Sequence, residues 1–302
     1  MGSLAAILTS ICWSWSAIFF SNAGYIVGSK VVNRTRLLFA VTFLAATHLI
    51  VTGSILPIHV EGFRWLWLGL SGLIGLVLGD AMLFQAYVYV GPRIAMLVMS
   101  IVPAISAVLA WLFLGEVLDV AQIFGISLTM SGIMLVVSDR TSSRKVQIPG
   151  KTSQHWLGIL LSIGGAFGQA IGLIFAKMGL VGNFPALSGV MMRMVVAAVI
   201  IWVVAFLSKE VKLNFDLLKK NPATIKHIFS GAFVGPFLGV WLSMIAVQNT
   251  KVGISSTLMA LTPIIHLPIA RYYLHEEINL RAIIGTIVAI AGIAIIFLVP
   301  SF

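Results

Sequence analysis

The chain has 302 residues, of which 60% are hydrophobic and 9% charged, with a formal net charge of +10. A soluble domain carries roughly 25% charged and 45–50% apolar residues, so the composition excludes a soluble enzyme and a disordered tail protein. One cysteine, Cys12, excludes an intramolecular disulfide and a cysteine-rich metal site. What remains is a chain mostly dissolved in lipid, with a mean hydropathy of +1.08.

A membrane helix takes ~20 apolar residues, so ten take about 200 and leave roughly 100 for loops and helix ends. Ten apolar runs fall at 4–22, 36–53, 65–89, 94–114, 120–138, 155–176, 186–207, 227–248, 252–274 and 281–300. None alternates like a membrane barrel strand. In lipid each segment has to satisfy its own backbone polar groups. The expected fold class is all-α integral membrane, with ten transmembrane helices.

The first run lacks a basic lead and a cleavage site, so it reads as an uncleaved helix rather than a signal peptide. Trp13, Ser16 and Phe20 share one of its faces. The third run holds Asp80, the one carboxylate well inside any run; Phe84 and Tyr87 lie on its face, with Gln85 around the side. A charge at the bilayer centre costs ~2.5–3.5 kcal/mol on insertion scales. Asp80 therefore has two readings: a proton- or cation-coupling group, or a carboxylate bonded structurally to serines, arginine or backbone.

In the fourth run Met96, Met99, Ser100 and Pro103 form one helical stripe, and Glu116 follows it. The stripe recurs in the ninth run as Ser256, Met259, Ala260 and Pro263, continued by His266 and followed by Glu276. Mid-helix proline bends a helix, and methionine lines adaptable cavities; simple helix packing would need the same stripe. Between these runs, Arg193 lies about two turns into the seventh and needs a counter-charge, a substrate anion or a helix end. Trp241, Met244, Ile245 and Gln248 share a face of the eighth. His48 reads as nearer lipid. His266, with an unperturbed pKa of ~6.5, is a plausible proton carrier or a satisfied core histidine. Asp119 and Asn279 read as N-caps, Trp65, Trp67 and Trp156 as interface anchors, and four-residue glycine spacings as close helix contacts.

Two polar stretches interrupt the pattern. Residues 139–154 read as a linker between halves 1–138 and 155–302. Residues 208–226, with five lysines, suit a surface amphipathic helix. Most lysines and arginines lie in the loops between runs 1–2, 3–4, 5–6, 7–8 and 9–10, which the positive-inside rule places in the cytoplasm, with both termini outside. That bias accounts for the net charge without nucleic acid.

A shift of 160 positions superimposes Gly75 on Gly235, Gly79 on Gly239, Pro103 on Pro263, Glu116 on Glu276, Gly125 on Gly285 and Gly132 on Gly292. Met99 falls on Met259; Arg36 and Arg193 correspond with a small gap. Asp80 falls on Val240, so the carboxylate is not repeated. Each half holds five runs, and an odd number inverts the second half, a signature of secondary transporters.

With Trp13, Arg36, Pro103, Leu-Gly-Glu at 114–116, Gly125 and Gly132, the first half resembles the EamA-like module of the drug/metabolite transporter superfamily. Lys177, Arg193, Pro263, Glu276, Gly285 and Gly292 repeat the likeness in the second half, with Leu-His-Glu at 274–276 departing from it. The resemblance implies a ten-helix metabolite transporter working by alternating access between two inverted five-helix repeats, export more readily than uptake.

The expected function is secondary active transport of small organic metabolites such as amino acids, with a proton carried by Asp80 or His266. A lipid flippase or scramblase and a channel-like facilitator are the alternatives. The cavity is expected to use Trp13, Asp80, Phe84, Gln85, Tyr87, Met96, Met99, Ser100, Trp241, Gln248, Ser256, Met259 and His266, with bends at Pro103 and Pro263. Arg193, Glu116 and Glu276 are expected as structural charges. No protease motif and no phosphate-binding loop occur, so neither enzyme chemistry nor ATP is expected. No cofactor, metal or nucleic acid is expected; the partners are a small solute and membrane lipid, as a monomer or homodimer. The expected location is a bacterial-type inner membrane.

Overall fold

The computed structural model describes residues 1–137, 152–273 and 279–298, and these are helical with no strand. Among the described residues ten helices are long and apolar enough to span a membrane: Gly2–Val27, Ser29–Thr52, Gly62–Tyr87, Ile94–Leu114, Val120–Val137, His155–Gly179, Ala186–Leu207, Pro222–Asn249, Val252–Ile269 and Leu280–Phe297. They are numbered here as spans 1 to 10. Their outer surface carries large apolar side chains, including Trp111, Phe113, Phe206, Ile287 and Ile290. Such a surface suits lipid, not water. The expected linker at 139–154 falls largely outside the described residues.

Span 2 starts at Ser29 rather than at residue 36. Gly28 takes φ 82° and accepts the turn, and its N–H closes span 1 on the Gly24 carbonyl. The earlier start buries Arg34 and Arg36, which a loop would have left in water. Glu210 explains the first of them, since its carboxylate pairs with Arg34 and with Lys30. From there Val211–Lys220 runs as the expected surface helix. Its Leu218 and Asn214 are buried while Leu213 and Phe215 are exposed. Hydrogen bonds from Arg34, then Lys30, hold the Glu210 carboxyl below its ordinary range.

The spans pair across the two halves. Span 1 lies against span 8 and span 3 against span 6; spans 2, 4 and 5 lie against spans 7, 9 and 10. The last three pairs join repeat-related helices, and each pair is antiparallel. His48 late in span 2 bonds Ser188 early in span 7 at 3.0 Å, while Trp202 late in span 7 bonds the Arg34 carbonyl early in span 2 at 3.2 Å. His48 is thus buried between helices, not turned to lipid. Glu116, after span 4, accepts from the Val252 N–H that opens span 9.

Spans 5 and 10 cross reciprocally. Gly125 meets Gly292 and Gly132 meets Gly285, each position touching the other's repeat mate. Thr129 donates to the Ala289 carbonyl, exactly one repeat away, at 3.4 Å. This is the pattern of a two-fold axis. A Cβ on Gly132 would stand 2.4 Å from the Ala289 nitrogen and 2.5 Å from the Gly285 carbonyl oxygen.

The same repeat shapes spans 3 and 8. Each is interrupted by π-helix, at Gly72–Gly79 and at Phe233–Gly239, a wider coil frequent at functional sites. Against the first of these packs Gly168 of span 6, whose added Cβ would lie 2.8 Å from the Gly79 Cα.

Gly132→Ala should lower thermal stability by about 1–3 kcal/mol through overpacking, read as a drop in the melting midpoint of purified protein. For Glu210 the folded pKa is depressed, so its stabilisation holds above the usual glutamate range and fades as pH falls through the lower folded value. Amide exchange over 211–220 should accelerate on acidification through that range, and Glu210→Gln should remove the pH dependence.

Candidate functional site

Between the halves lies a cavity of about 970 Å³. Its walls come from spans 1 to 9. Gly24, Tyr25, Gly28, Ser29, Tyr89, Val90 and His155 line it at the lysine- and arginine-rich end. The breaks in spans 4 and 9 flank it as well. Helix stops at Met99 and restarts at Val102, and stops at Met259 and restarts at Thr262. Pro103 and Pro263 therefore stand in the first turn of a new helical piece, where the missing N–H is harmless; the bends fall just before them.

Of the residues expected at the cavity, Trp13, Asp80, Phe84, Tyr87, Met96, Met99, Ser100, Ser256 and Met259 line it, as do Pro263 and Arg193. Gln85 instead lines a neighbouring pocket of about 290 Å³ beside Lys30, Arg34 and Glu210. Gln248 donates to the Phe184 carbonyl at 2.8 Å and the Leu180 carbonyl at 3.4 Å, tying span 8 to the loop after span 6. Trp241 packs against Phe237 in the core shared by spans 2, 3, 7 and 8. The side chain of His266 and the whole of Glu276 fall outside the described residues.

Asp80 has a partner that sequence reasoning set at the very edge of the second run, among the residues of the loop before it. Arg36 forms an ion pair with it, both side chains being 9% exposed. The other carboxylate oxygen accepts from Gln169 Nε2 at 2.7 Å. Arg36 is held in turn by Asn33 Oδ1 at 2.9 Å, and its guanidinium stands 5.5 Å from the Phe20 ring centre and 4.9 Å from that of Phe84. Such a cluster satisfies the charge, planarity and hydrogen bonds of the guanidinium together. Spans 1, 2, 3 and 6 meet in it. The signals that could have found it were the i, i+3 spacing of Asn33 and Arg36 and a glutamine inside span 6.

At the opposite end polar contacts tie the two halves together. Lys177 Nζ lies 2.7 Å from Glu116 Oε1, an ion-pair contact outside hydrogen-bond angles. The same ammonium donates to the Thr250 carbonyl at 2.7 Å, and Lys251 reaches Gln122 at 3.2 Å. Arg64 adds bonds to the carbonyls of Gly179 and Val181. Glu116 and Lys177 belong to different halves, so this contact joins the two repeats. No group of His, Cys, Asp and Glu among the described residues could hold a metal ion.

Ten long apolar spans among the described residues mark a multi-pass integral membrane protein. The model of the EamA-like transporter family matches residues 1–138 and again 156–298. The chain belongs to that family, and so to the drug/metabolite transporter type. A solved crystal structure, described only as that of a protein, superposes with a TM-score of 0.75 over 98% of this chain and 96% of the other, at 16% identity. That likeness speaks to the fold alone. A comparison with curated proteins found no match.

Removing Asp80 alone strands a buried guanidinium, so Asp80→Ala should destabilise the protein by about 3–5 kcal/mol. The double variant Arg36→Met, Asp80→Leu should regain most of that stability, measured by thermal melting in detergent.

Proposed function

We propose that this chain is a secondary active transporter of small organic metabolites, amino acids among them, exposing one central cavity to the two membrane faces in turn. Export coupled to protons is the direction and drive proposed, with Asp80 or His266 as the carrier. The two halves form an inverted repeat that rocks about the cavity. The observation that carries this reading is the asymmetry of closure: a large cavity lined at the basic end, and an ion pair between the halves at the other.

The charge bias makes the basic end cytoplasmic, so the conformation described is the one that loads a solute from inside. Its apolar walls with a few polar groups suit an amphipathic organic solute. Alternation requires the Glu116–Lys177 contact to part. Its side chains are 12% and 24% accessible and meet outside hydrogen-bond geometry, so the contact holds the halves by charge alone.

The test needs no substrate. In a Cys12→Ser background, Met99→Cys should react with a membrane-impermeant maleimide mainly from the lysine- and arginine-rich face. Adding Lys177→Gln should raise labelling from the opposite face about tenfold, the population shift that about 1.4 kcal/mol produces. Labelling that stays confined to one face in both proteins would reduce the cavity to a blind pocket and overturn the reading.

A further inference from the structure

Among the described residues, four arginines are buried: Arg34, Arg36, Arg64 and Arg193. The first three have carboxylates, from Glu210, Asp80 and Glu61 respectively. Arg193 has none. It is 2% exposed and lines the cavity. Its Nε has no hydrogen-bond partner, and its Nη1 points at the Met244 sulfur at 3.8 Å, a weak acceptor.

The setting is built for this side chain. Span 3 passes it with Gly72 and Gly75, and a Cβ on Gly75 would stand 2.8 Å from Nη2. Repeat logic explains the missing partner. Arg36 and Arg193 correspond, but the position of Asp80 is Val240 in the second half. The second half has kept the cation and not the anion.

Charge then selects the ligand. Along the cavity wall Asp80 pairs directly with Arg36 and reaches Arg193 only through space, so the three groups leave one net positive charge without a bonded anion at Arg193. An unpaired charge in such surroundings is strongly unfavourable, and a ligand that brings the anion removes the penalty. The rings of Phe20 and Phe84 already face Arg36, so they offer little to an organic cation. The planar guanidinium fork matches a carboxylate in two parallel hydrogen bonds. One free arginine matches one carboxylate, and the apolar wall of Trp13, Leu76, Leu173 and Val240 matches an apolar body.

We infer that the transported solute is an organic monocarboxylate whose carboxylate binds Arg193 in the wall of the central cavity. This rests on the transporter reading above and narrows its substrate class.

Matched probes test it. Purified protein in a neutral detergent is melted with benzoate or 3-phenylpropionate, with the corresponding amides, and with sulfate or phosphatidylglycerol, all at equal ionic strength. The carboxylates should raise the midpoint by about 2 °C or more, and the amides should not. Arg193→Met should abolish that rise, and Arg193→Lys should weaken it. Gly75→Ala, which crowds the guanidinium without removing it, should also weaken it and serves if Arg193→Met fails to fold. Equal stabilisation by acid and amide, a carboxylate effect that survives in the Arg193→Met or Gly75→Ala protein, or no carboxylate effect at all would overturn the inference. So would an equal effect of sulfate, as a general ion effect, or of phosphatidylglycerol, which would assign the arginine to a lipid headgroup. The maleimide experiment reads alternation without any ligand, so failure of the carboxylate assignment and failure of the transport reading are separable.

Discussion

Charge inside a membrane span has to be answered within the bundle, and the pairing of Asp80 with Arg36 is where this molecule answers it. A lone carboxylate at that depth would be expensive; a carboxylate bonded to Arg36 and Gln169 is affordable and also directional. It requires span 2 to begin early enough to place Arg36 within the bundle. It requires span 6 to come close to span 3, which Gly168 and Gly172 permit against Gly79 and Gly75. The cavity wall is thus shaped by the demand for a counter-charge as much as by the packing of apolar faces.

The two halves share a backbone plan more than they share chemistry. Both carry the π interruption at matched positions, and both break their fourth helix just before a proline. The reciprocal glycine crossing of spans 5 and 10 needs only small residues, so it survives duplication symmetrically. The polar groups do not. Asp80 faces a cation in one half, and Val240 stands in its place in the other. A two-fold frame with a one-fold set of charges offers a solute one orientation, not two equivalent ones.

How much of this was written legibly in the chain follows from range. Ten spans could be counted because hydropathy acts over about twenty neighbouring residues. The glycine contacts could be anticipated because small residues at four-residue spacing mark close helix approach. The start of span 2 was misplaced for the same reason: local hydropathy puts Lys30 and Arg34 outside the lipid and Arg36 at its edge, whereas Asp80 and Glu210, far along the chain, bring both arginines inside. Gln85 and Gln248 share faces with cavity residues by periodicity, yet one turns to the pocket beside Glu210 and the other to the carbonyls after span 6. Periodicity assigns a face to a helix, but only the neighbouring helix decides what that face meets.

The two inter-helix ion pairs at the ends of this reasoning differ in what they allow. Arg36 and Asp80 are each 9% exposed and have further partners, so separating them would leave two charges in a medium that solvates neither. Glu116 and Lys177 are more accessible, sit beyond the ends of their spans or at the last turn, and meet without hydrogen-bond geometry. The fixed junction is therefore at the cavity wall and the separable one at the closed face. The rocking motion proposed above, preserving the first and parting the second, would leave Arg193 in place while changing the face from which the cavity is reached.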